Sequence, residues 1–133
     1  MIVADTNLIA YLLIPGDHTQ AAERVFARDP DWVAPLLWRS EFRNVLILHL
    51  RRRFLSLAES LEIAADAEVL VQGKEYEVSS AQVLSLAASS RCSAYDCEFV
   101  ALAQNLGVPL VTADRDVLTD FPSLAVSADD FTP

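Results

Sequence analysis

Residues 93–116 read SAYDCEFVALAQNLGVPLVTADRD, and this stretch determines our prediction of the fold. Its first half predicts an amphipathic helix, because apolar residues recur at helical spacing behind Asp96. Gly107 ends this helix, since glycine readily adopts the left-handed conformation found at helix ends. A short buried strand over 109–112 follows, bounded by proline and by an acidic turn. The stretch therefore contributes one acid from a helix and a second, Asp114, from the end of a strand.

The rest of the chain repeats this alternation of short strands and helices. Further strands are expected over residues 1–4, 32–34, 75–78 and 124–126, and further helices over 8–14, 18–28, 36–50, 57–71 and 80–90. We expect Asn7 and Asp17 to cap the first two helices, and a capping box to begin at Ser56. Alternating strands and helices predict a parallel sheet with helices on both faces.

Composition limits the class of protein. The chain has 133 residues, 53% of them apolar, which predicts one globular domain over residues 1–133 and excludes a disordered chain. Its net charge of −9 argues against general electrostatic capture of nucleic acid or anionic membrane, an objection that cations bound at an acidic site would weaken. We expect no signal peptide and no membrane span. Cys92 and Cys97 are the only cysteines, so we expect no disulfide framework and a reducing, cytoplasmic compartment.

Four acids form the candidate site. Asp5 and Asp114 follow two strands, and ligands of open α/β sheets lie beyond the carboxyl ends of strands. Glu41 and Asp96 lie on helices among apolar neighbours, where an ionised carboxylate is costly unless something compensates its charge. A divalent cation would remove both the burial cost and the mutual repulsion, and Mg²⁺ or Mn²⁺ prefers carboxylate oxygens.

Each acid also has a purely structural interpretation. Asp5 could begin a turn, Asp96 could complete a capping box, Asp114 and Asp116 could cap a short helix, and Glu41 could face solvent. Each signal is weak when taken alone. The structural interpretation requires four independent coincidences, so we favour a shared site.

Several basic residues lie close to these acids in the sequence. Arg39 and Arg43 flank Glu41, and Arg115 follows Asp114. These three arginines are candidates for binding phosphate groups of a substrate. The run of arginines at 51–53 is at least as well explained by solvated charges at a helix end.

Taken together, the chain resembles the PIN-domain family, in particular the VapC-type toxin ribonucleases of prokaryotic toxin–antitoxin pairs. The matching segments cover essentially the whole chain in order. They are IVADTN at 2–7, the Ser-Glu pair at 40–41, YDxxFVALA at 95–103 and PLVTADRD at 109–116. The last two form one long match from 95 to 116, which is the most specific part of the resemblance.

The resemblance implies the site residues, the fold and the partners. The implied catalytic and metal-binding acids are Asp5, Glu41, Asp96 and Asp114, with Asp116 as an additional acid and with Thr112 and Asn7 in supporting roles. It also implies a three-layer α/β/α sandwich with about five parallel strands in the order 3-2-1-4-5. The implied activity is cleavage of RNA that depends on Mg²⁺ or Mn²⁺, by a homodimer that a protein antitoxin inhibits. Cys97 departs from the family pattern, in which a small alanine is common.

Two other functions compete with this hypothesis. The first is a PIN-like nucleic-acid-binding or scaffold protein without catalysis, which the presence of all four acids disfavours. The second is a receiver-like phosphoacceptor domain, which needs a lysine at a late strand end. The one lysine of this chain, Lys74, precedes the third strand.

Overall fold

A computed structural model describes residues 1–131 and contains one sheet of five parallel strands in the order β3-β2-β1-β4-β5. The strands are β1 (Ile2–Ala4), β2 (Trp32–Pro35), β3 (Glu75–Tyr76), β4 (Leu110–Val111) and β5 (Ala125–Val126). The predicted parallel sheet and its strand order are confirmed. β3 and β4 have two residues each and are shorter than the predicted strands over 75–78 and 109–112.

Helices cover both faces of this sheet, as predicted. Every residue of β1 is buried, with relative exposure of 1% or less. Successive side chains of a strand point to opposite faces, so a strand buried at every position is covered on both sides. The central strand therefore lies in the middle of a three-layer core.

Within residues 1–131, seven helices connect the strands. They are α1 (Thr6–Leu13), α2 (Thr19–Arg28), α3 (Trp38–Arg51), α4 (Leu57–Leu70), α5 (Ser80–Ala88), α6 (Ala94–Leu106) and α7 (Arg115–Asp120). Helix α1 packs against α2, α3 and α4, whereas α5 packs against α6, which contacts β1, β2 and β4. None of the helices within residues 1–131 combines the length and the apolar character needed to cross a bilayer.

Local sequence signals set several helix ends. The predicted capping box is present, since the Ser56 hydroxyl accepts the N–H of Glu59 and the Glu59 carboxylate accepts the N–H of Ser56. Gly107 ends α6 with φ of 65°, the left-handed conformation that glycine tolerates. Ser93 caps the other end of α6 by accepting the N–H of Asp96 at 3.1 Å.

Two predicted caps are wrong. Helix α1 begins directly after β1, so its N-cap is Asp5, whose Oδ1 accepts the N–H of Thr6 at 2.7 Å, and Asn7 lies exposed inside the helix. The N-cap of α2 is His18 and not Asp17, and no side-chain hydrogen bond caps this helix.

The prediction that residues 1–133 form one nuclease domain stays a prediction. It includes Thr132 and Pro133, which lie outside the described residues.

Candidate active site

Asp5 and Thr112 lie side by side at the carboxyl edge of the sheet. β1 and β4 are parallel neighbours with Ala4 paired to Val111, so the next residue of each chain segment emerges at the same edge. The Thr112 hydroxyl donates a hydrogen bond of 2.5 Å to Oδ2 of Asp5. The N–H of Asp5 donates to the carbonyl oxygen of Val111 at 3.1 Å, which fixes the backbone on the same side.

Asp114 is joined to the same hydroxyl. Its N–H donates to the Oγ1 of Thr112 at 3.1 Å, and its own Oδ1 accepts the N–H of Val117 at 3.0 Å as the N-cap of α7. The structural interpretation of Asp114 as a cap is therefore correct. It does not compete with a role at the site, because one oxygen caps the helix while the residue lies beside Thr112.

Glu41 is oriented by a second threonine. It lies in the first turn of α3, and its Oε1 accepts the hydroxyl of Thr6 at 2.8 Å. Thr6 is only 4% exposed and also donates its backbone N–H to Asp5. One residue of α1 thus orients two acids, and the packing of α1 against α3 brings them together.

Asp96 approaches from α6. Asp96 occupies the first turn of that helix, where its N–H is bonded to the capping residue Ser93, and it is partly buried. Burial raises the pKa of the Asp96 carboxyl, and the negative charges of Asp114 and Asp116 raise it further, while hydrogen bonds from Ser93 lower it. Asp96 therefore lies close enough to the acids of the β4–α7 segment to be repelled by them.

The same repulsion connects the remaining acids. Burial is the main cause that raises the pKa of Asp5 to about 6, and hydrogen bonds from Thr112 and Thr6 oppose it. The charges of Glu41 and Asp96 add to the increase. Burial also raises the pKa of Glu41, with smaller contributions from Asp96 and from Glu98. The carboxylates of three separate chain segments therefore share one negatively charged region.

This region has carboxylate oxygens that could bind a divalent cation, but these oxygens do not surround one common point. Within residues 1–131, no three acidic, cysteine or histidine side chains are already disposed around a common metal position. No ion pair in the same range involves Asp5, Glu41 or Asp96, so their charges are not neutralised by a basic side chain. Carboxylate oxygens with uncompensated charge fit Mg²⁺ or Mn²⁺, which prefer such hard ligands.

The three arginines proposed for phosphate binding differ in their surroundings. Arg39 forms a bidentate ion pair with Glu75, with N–O distances of 2.6 and 2.8 Å, and a further pair with Glu68 at 2.9 Å. Arg43 and Arg115 are exposed, and neither forms an ion pair with any residue in the described part of the chain. Arg39 thus ties α3 to β3 and α4 and is not available in the way that the sequence suggested.

The two remaining predicted residues are Asn7 and Asp116. Within residues 1–131, neither forms a hydrogen bond with an acid of the site. Asn7 is exposed on α1, one residue after Thr6, and Asp116 is exposed in the first turn of α7. Asp116 contributes to the site through its charge, which raises the pKa of Asp96.

Sequence reasoning missed two residues. The position of Thr6 directly after Asp5 was a usable signal, because a hydroxyl at a strand end can orient neighbouring carboxylates. Glu98 lies two positions after Asp96, and residues two apart do not share a helix face, so the spacing gave no signal. Its charge nevertheless reaches Glu41.

The receiver-like alternative is wrong. Receivers have the strand order 2-1-3-4-5, which differs from the order found here. Lys74 precedes β3 and pairs with Asp31, which precedes β2, at 2.9 Å. Both residues therefore lie at the amino edge of the sheet, opposite the acids.

Comparison with known proteins supports the same fold. The family model described as the PIN domain matches residues 2–124. Ribonuclease VapC3 of Pyrobaculum aerophilum is 30% identical over 127 residues, which cover 92% of this chain and 96% of that protein. The crystal structure of FitAcB from Neisseria gonorrhoeae superposes with a TM-score of 0.77 and 15% identity, covering 98% of this chain and 100% of that one. A toxin–antitoxin complex from Klebsiella pneumoniae gives a TM-score of 0.70 at 15% identity, covering 96% of this chain and 98% of that one.

Proposed function

The chain belongs to the PIN domain family, and from this premise we propose that it is a metal-dependent endoribonuclease. It hydrolyses RNA phosphodiester bonds as the toxin of a type II toxin–antitoxin pair. The observation that carries the proposal is that Asp5, which follows β1, converges with Glu41 of α3 and Asp96 of α6 at one edge of the sheet, with no ion pair to a basic side chain within residues 1–131. The name of the relative Ribonuclease VapC3 supports RNA as the substrate.

The proposed metal ligands are Asp5, Asp96, Asp114 and Glu41, with Asp116 as a further candidate. Bound Mg²⁺ or Mn²⁺ would polarise the scissile phosphate and lower the pKa of a coordinated water. The protein's part is to hold the carboxylates in place: Thr112 orients Asp5, and Thr6 orients Glu41. Asp5 and Asp96 must be ionised to bind a cation, so their raised pKa values predict weaker binding in acid.

Substrate binding is proposed to use the exposed arginines beside the acids. Arg43 projects from α3 and Arg115 begins α7, so both lie one turn or less from a candidate ligand. The overall charge of −9 repels RNA, and a bound cation together with these two arginines would offset that repulsion locally. If water attacks phosphorus in line and the bond to the 3′-oxygen breaks, the products carry 5′-phosphate and 3′-hydroxyl ends, which are the ends that the resemblance to VapC-type ribonucleases implies.

Replacement of Asp5 or Asp96 by Asn tests the catalytic proposal. Both variants keep the shape of the side chain but remove its charge, and we expect RNA cleavage in Mg²⁺ or Mn²⁺ to fall at least a hundredfold. Asp129→Asn is the matched control, because Asp129 is an exposed aspartate that pairs with Arg24 outside the site. Full activity in EDTA, or variants as active as the control, would overturn the proposal.

A binding or scaffold protein without catalysis is the second candidate. It is favoured by one observation, namely that no three side chains within residues 1–131 already form a metal-binding group. Calorimetric titration with Mn²⁺ separates the two candidates. Binding in the micromolar range supports the nuclease, whereas no heat at millimolar Mn²⁺ supports the scaffold.

We further propose a protein antitoxin as partner, and a homodimer as the assembly. A structure described as a toxin–antitoxin complex supports the first, since this chain shares its fold. Exposed Leu57 and Leu61, one turn apart on α4, give an apolar surface that either contact could use.

The free cysteines Cys92 and Cys97 agree with the proposed cytoplasmic location. Growth arrest on expression, reversed by a small neighbouring reading frame, would support the toxin role.

A further inference from the structure

A short segment, residues 89–93, connects α5 to the cap of α6 and is fastened to α7. The N–H of Arg91 donates to Oδ2 of Asp120 at 2.8 Å. The guanidinium of Arg91 donates to the same carboxylate, from Nη2 to Oδ1 at 2.8 Å and from Nε to both oxygens at 3.3 and 3.4 Å. Asp120 is the last residue of α7. We call this set of hydrogen bonds the Arg91–Asp120 clasp.

The clasp connects the two helices that carry acids of the site. Arg91 precedes Ser93, the N-cap of α6, by two residues, and Asp96 lies in the first turn after that cap. Asp120 ends the six-residue helix α7, whose N-cap is Asp114. A movement of α7 away from α6 would therefore separate Asp114 from Asp96 and would have to break the clasp.

The segment itself has little freedom to move independently of α6. The Ser90 hydroxyl donates to the carbonyl oxygen of Leu86 at 2.8 Å and accepts the N–H of Cys92 at 3.2 Å. Cys92 precedes the N-cap and is 6% exposed. Cys97 is the fourth residue of α6 and is fully buried. Residues placed in this way commonly pack together and fix the direction in which the chain enters a helix. A displacement of Arg91 would therefore also displace the first turn of α6.

The site needs such a restraint because its acids repel one another. The charge of Asp114 acts on Asp96, and neither residue has a basic partner in an ion pair within residues 1–131. Before a cation binds, this repulsion favours separation of α6 from α7. We propose that Arg91 and Asp120 are positioning residues that keep Asp96 and Asp114 from moving apart, so that a divalent cation can bind to both. This inference rests on the proposed metal site.

A positioning role and a purely electrostatic role predict opposite results for Arg91→Ala. Removal of a positive charge near Asp116, which the charge of Arg91 reaches, would by itself strengthen cation binding. Loss of the clasp would weaken it, because ligands that are less well held must be ordered on binding. The sign of the change in Mn²⁺ affinity therefore distinguishes the two roles.

Calorimetric titration of the whole chain with Mn²⁺, without RNA, is the decisive experiment. We expect Asp120→Ala, which removes every hydrogen bond of the clasp, to weaken binding by about tenfold, the size seen when residues that support metal ligands are removed. Arg91→Ala keeps the bond from its backbone N–H to Asp120 and should weaken binding by a smaller factor. The double variant should be no weaker than Asp120→Ala alone, because one clasp can be lost only once. Arg24→Ala is the matched control: it breaks the ion pair with Asp129, which is also exposed but lies outside the site, and should leave affinity unchanged.

Thermal unfolding shows whether a loss of affinity merely reflects a loss of structure. The side chain of Arg91 is 61% exposed, so we expect melting temperatures of Arg91→Ala and Arg24→Ala to be similar. Amide hydrogen exchange in metal-free protein adds a second readout. The N–H groups of Asp96 and Cys97, bonded to the hydroxyl and the carbonyl of Ser93, should exchange faster in Arg91→Ala and Asp120→Ala but not in Arg24→Ala.

The outcomes separate this inference from the function on which it rests. Wild-type protein that binds Mn²⁺, together with unchanged or tighter binding in Arg91→Ala, would overturn the clasp and leave the metal site intact. Wild-type protein that binds no Mn²⁺ would overturn the metal site and the inference with it. Unchanged exchange at Asp96 and Cys97 would overturn the clasp whatever the metal does.

Discussion

The hydroxyl of Thr112 donates a 2.5 Å hydrogen bond to Oδ2 of Asp5, a residue 107 positions earlier in the chain. The Oγ1 of Thr112 in turn accepts the N–H of Asp114. Because the hydroxyl has a single proton, and that proton is directed at Asp5, the arrangement stabilises Asp5 as an ionised acceptor. One buried threonine therefore orients the carboxylate that follows β1 and the backbone of the residue that caps α7.

Thr112→Val removes this hydroxyl at nearly constant volume. We expect Mn²⁺ affinity and RNA cleavage each to fall by about tenfold or more, because Asp5 loses the group that orients it. The free energy of unfolding should fall by about 1–3 kcal/mol, since the N–H of Asp114 is left without its acceptor. Calorimetric titration and chemical denaturation measure the two effects.

Thr112→Ser is the control for that substitution, because it keeps the hydroxyl and removes only a methyl group. We expect it to retain most of the metal affinity. A valine variant that binds Mn²⁺ as tightly as the serine variant would show that the hydrogen bond to Asp5 does not serve the site.

The pKa of Asp5 predicts how stability changes with pH in the metal-free protein. Burial raises that pKa from 3.8 to about 6, so between these values the folded state binds more protons than the unfolded state. The contribution of Asp5 therefore favours folding at low pH and is lost as pH rises toward 6. The shift corresponds to a destabilisation of up to about 3 kcal/mol above pH 6.

Asp5→Asn isolates this contribution, since other acids of the chain titrate in both variants. In EDTA, we expect the variant and the wild type to have similar stability near pH 4 and the variant to be more stable at pH 7–8. With Mn²⁺ the order should reverse at pH 7–8, because only the wild type gains the free energy of metal binding. Denaturation curves at several pH values measure both; a difference that does not vary with pH would contradict the role of Asp5.

The sequence allowed the placement of Asp5 and Asp114 at one edge of the sheet to be predicted, because parallel strands all end at the same edge of a sheet. It did not allow the surroundings of Glu41 and Arg39 to be predicted. The contact of Thr6 with Glu41 depends on how α1 packs against α3, and the partner of Arg39 is supplied by β3. Contacts of this kind depend on how helices and strands pack in three dimensions, and spacing within one helix does not contain that information.

The different surroundings of Arg39 and Arg43 predict different effects for two similar substitutions. Arg39→Ala should lower the free energy of unfolding, because it breaks a bidentate pair with Glu75 and leaves that half-buried carboxylate with fewer partners. Arg43→Ala should leave stability almost unchanged, since its side chain is exposed. Chemical denaturation measures both.

RNA binding should show the reverse order. Binding is measured in protein that also carries Asp5→Asn, so that the RNA is not cleaved. If Arg43 contacts phosphate, Arg43→Ala should weaken RNA binding and reduce the slope of log affinity against log salt concentration by about one released ion. Arg39→Ala should change neither the salt slope nor the RNA affinity when both are calculated for the concentration of folded protein. A salt slope that falls only with Arg39→Ala would restore the interpretation suggested by the sequence.

Glu98 provides a test of whether the acids act as one charged region. Its charge raises the pKa of Glu41, after the larger effects of burial and Asp96, although the two residues lie on different helices. Glu98→Gln removes that charge and keeps the side chain's shape, so Glu41 should ionise at lower pH. We expect cleavage at pH 5.5 to rise about twofold relative to cleavage at pH 8, the size that charges interacting through water produce. Glu62→Gln, at an exposed position of α4, is the control, and an equal pH profile in both variants would place Glu98 outside the electrostatic field of the site.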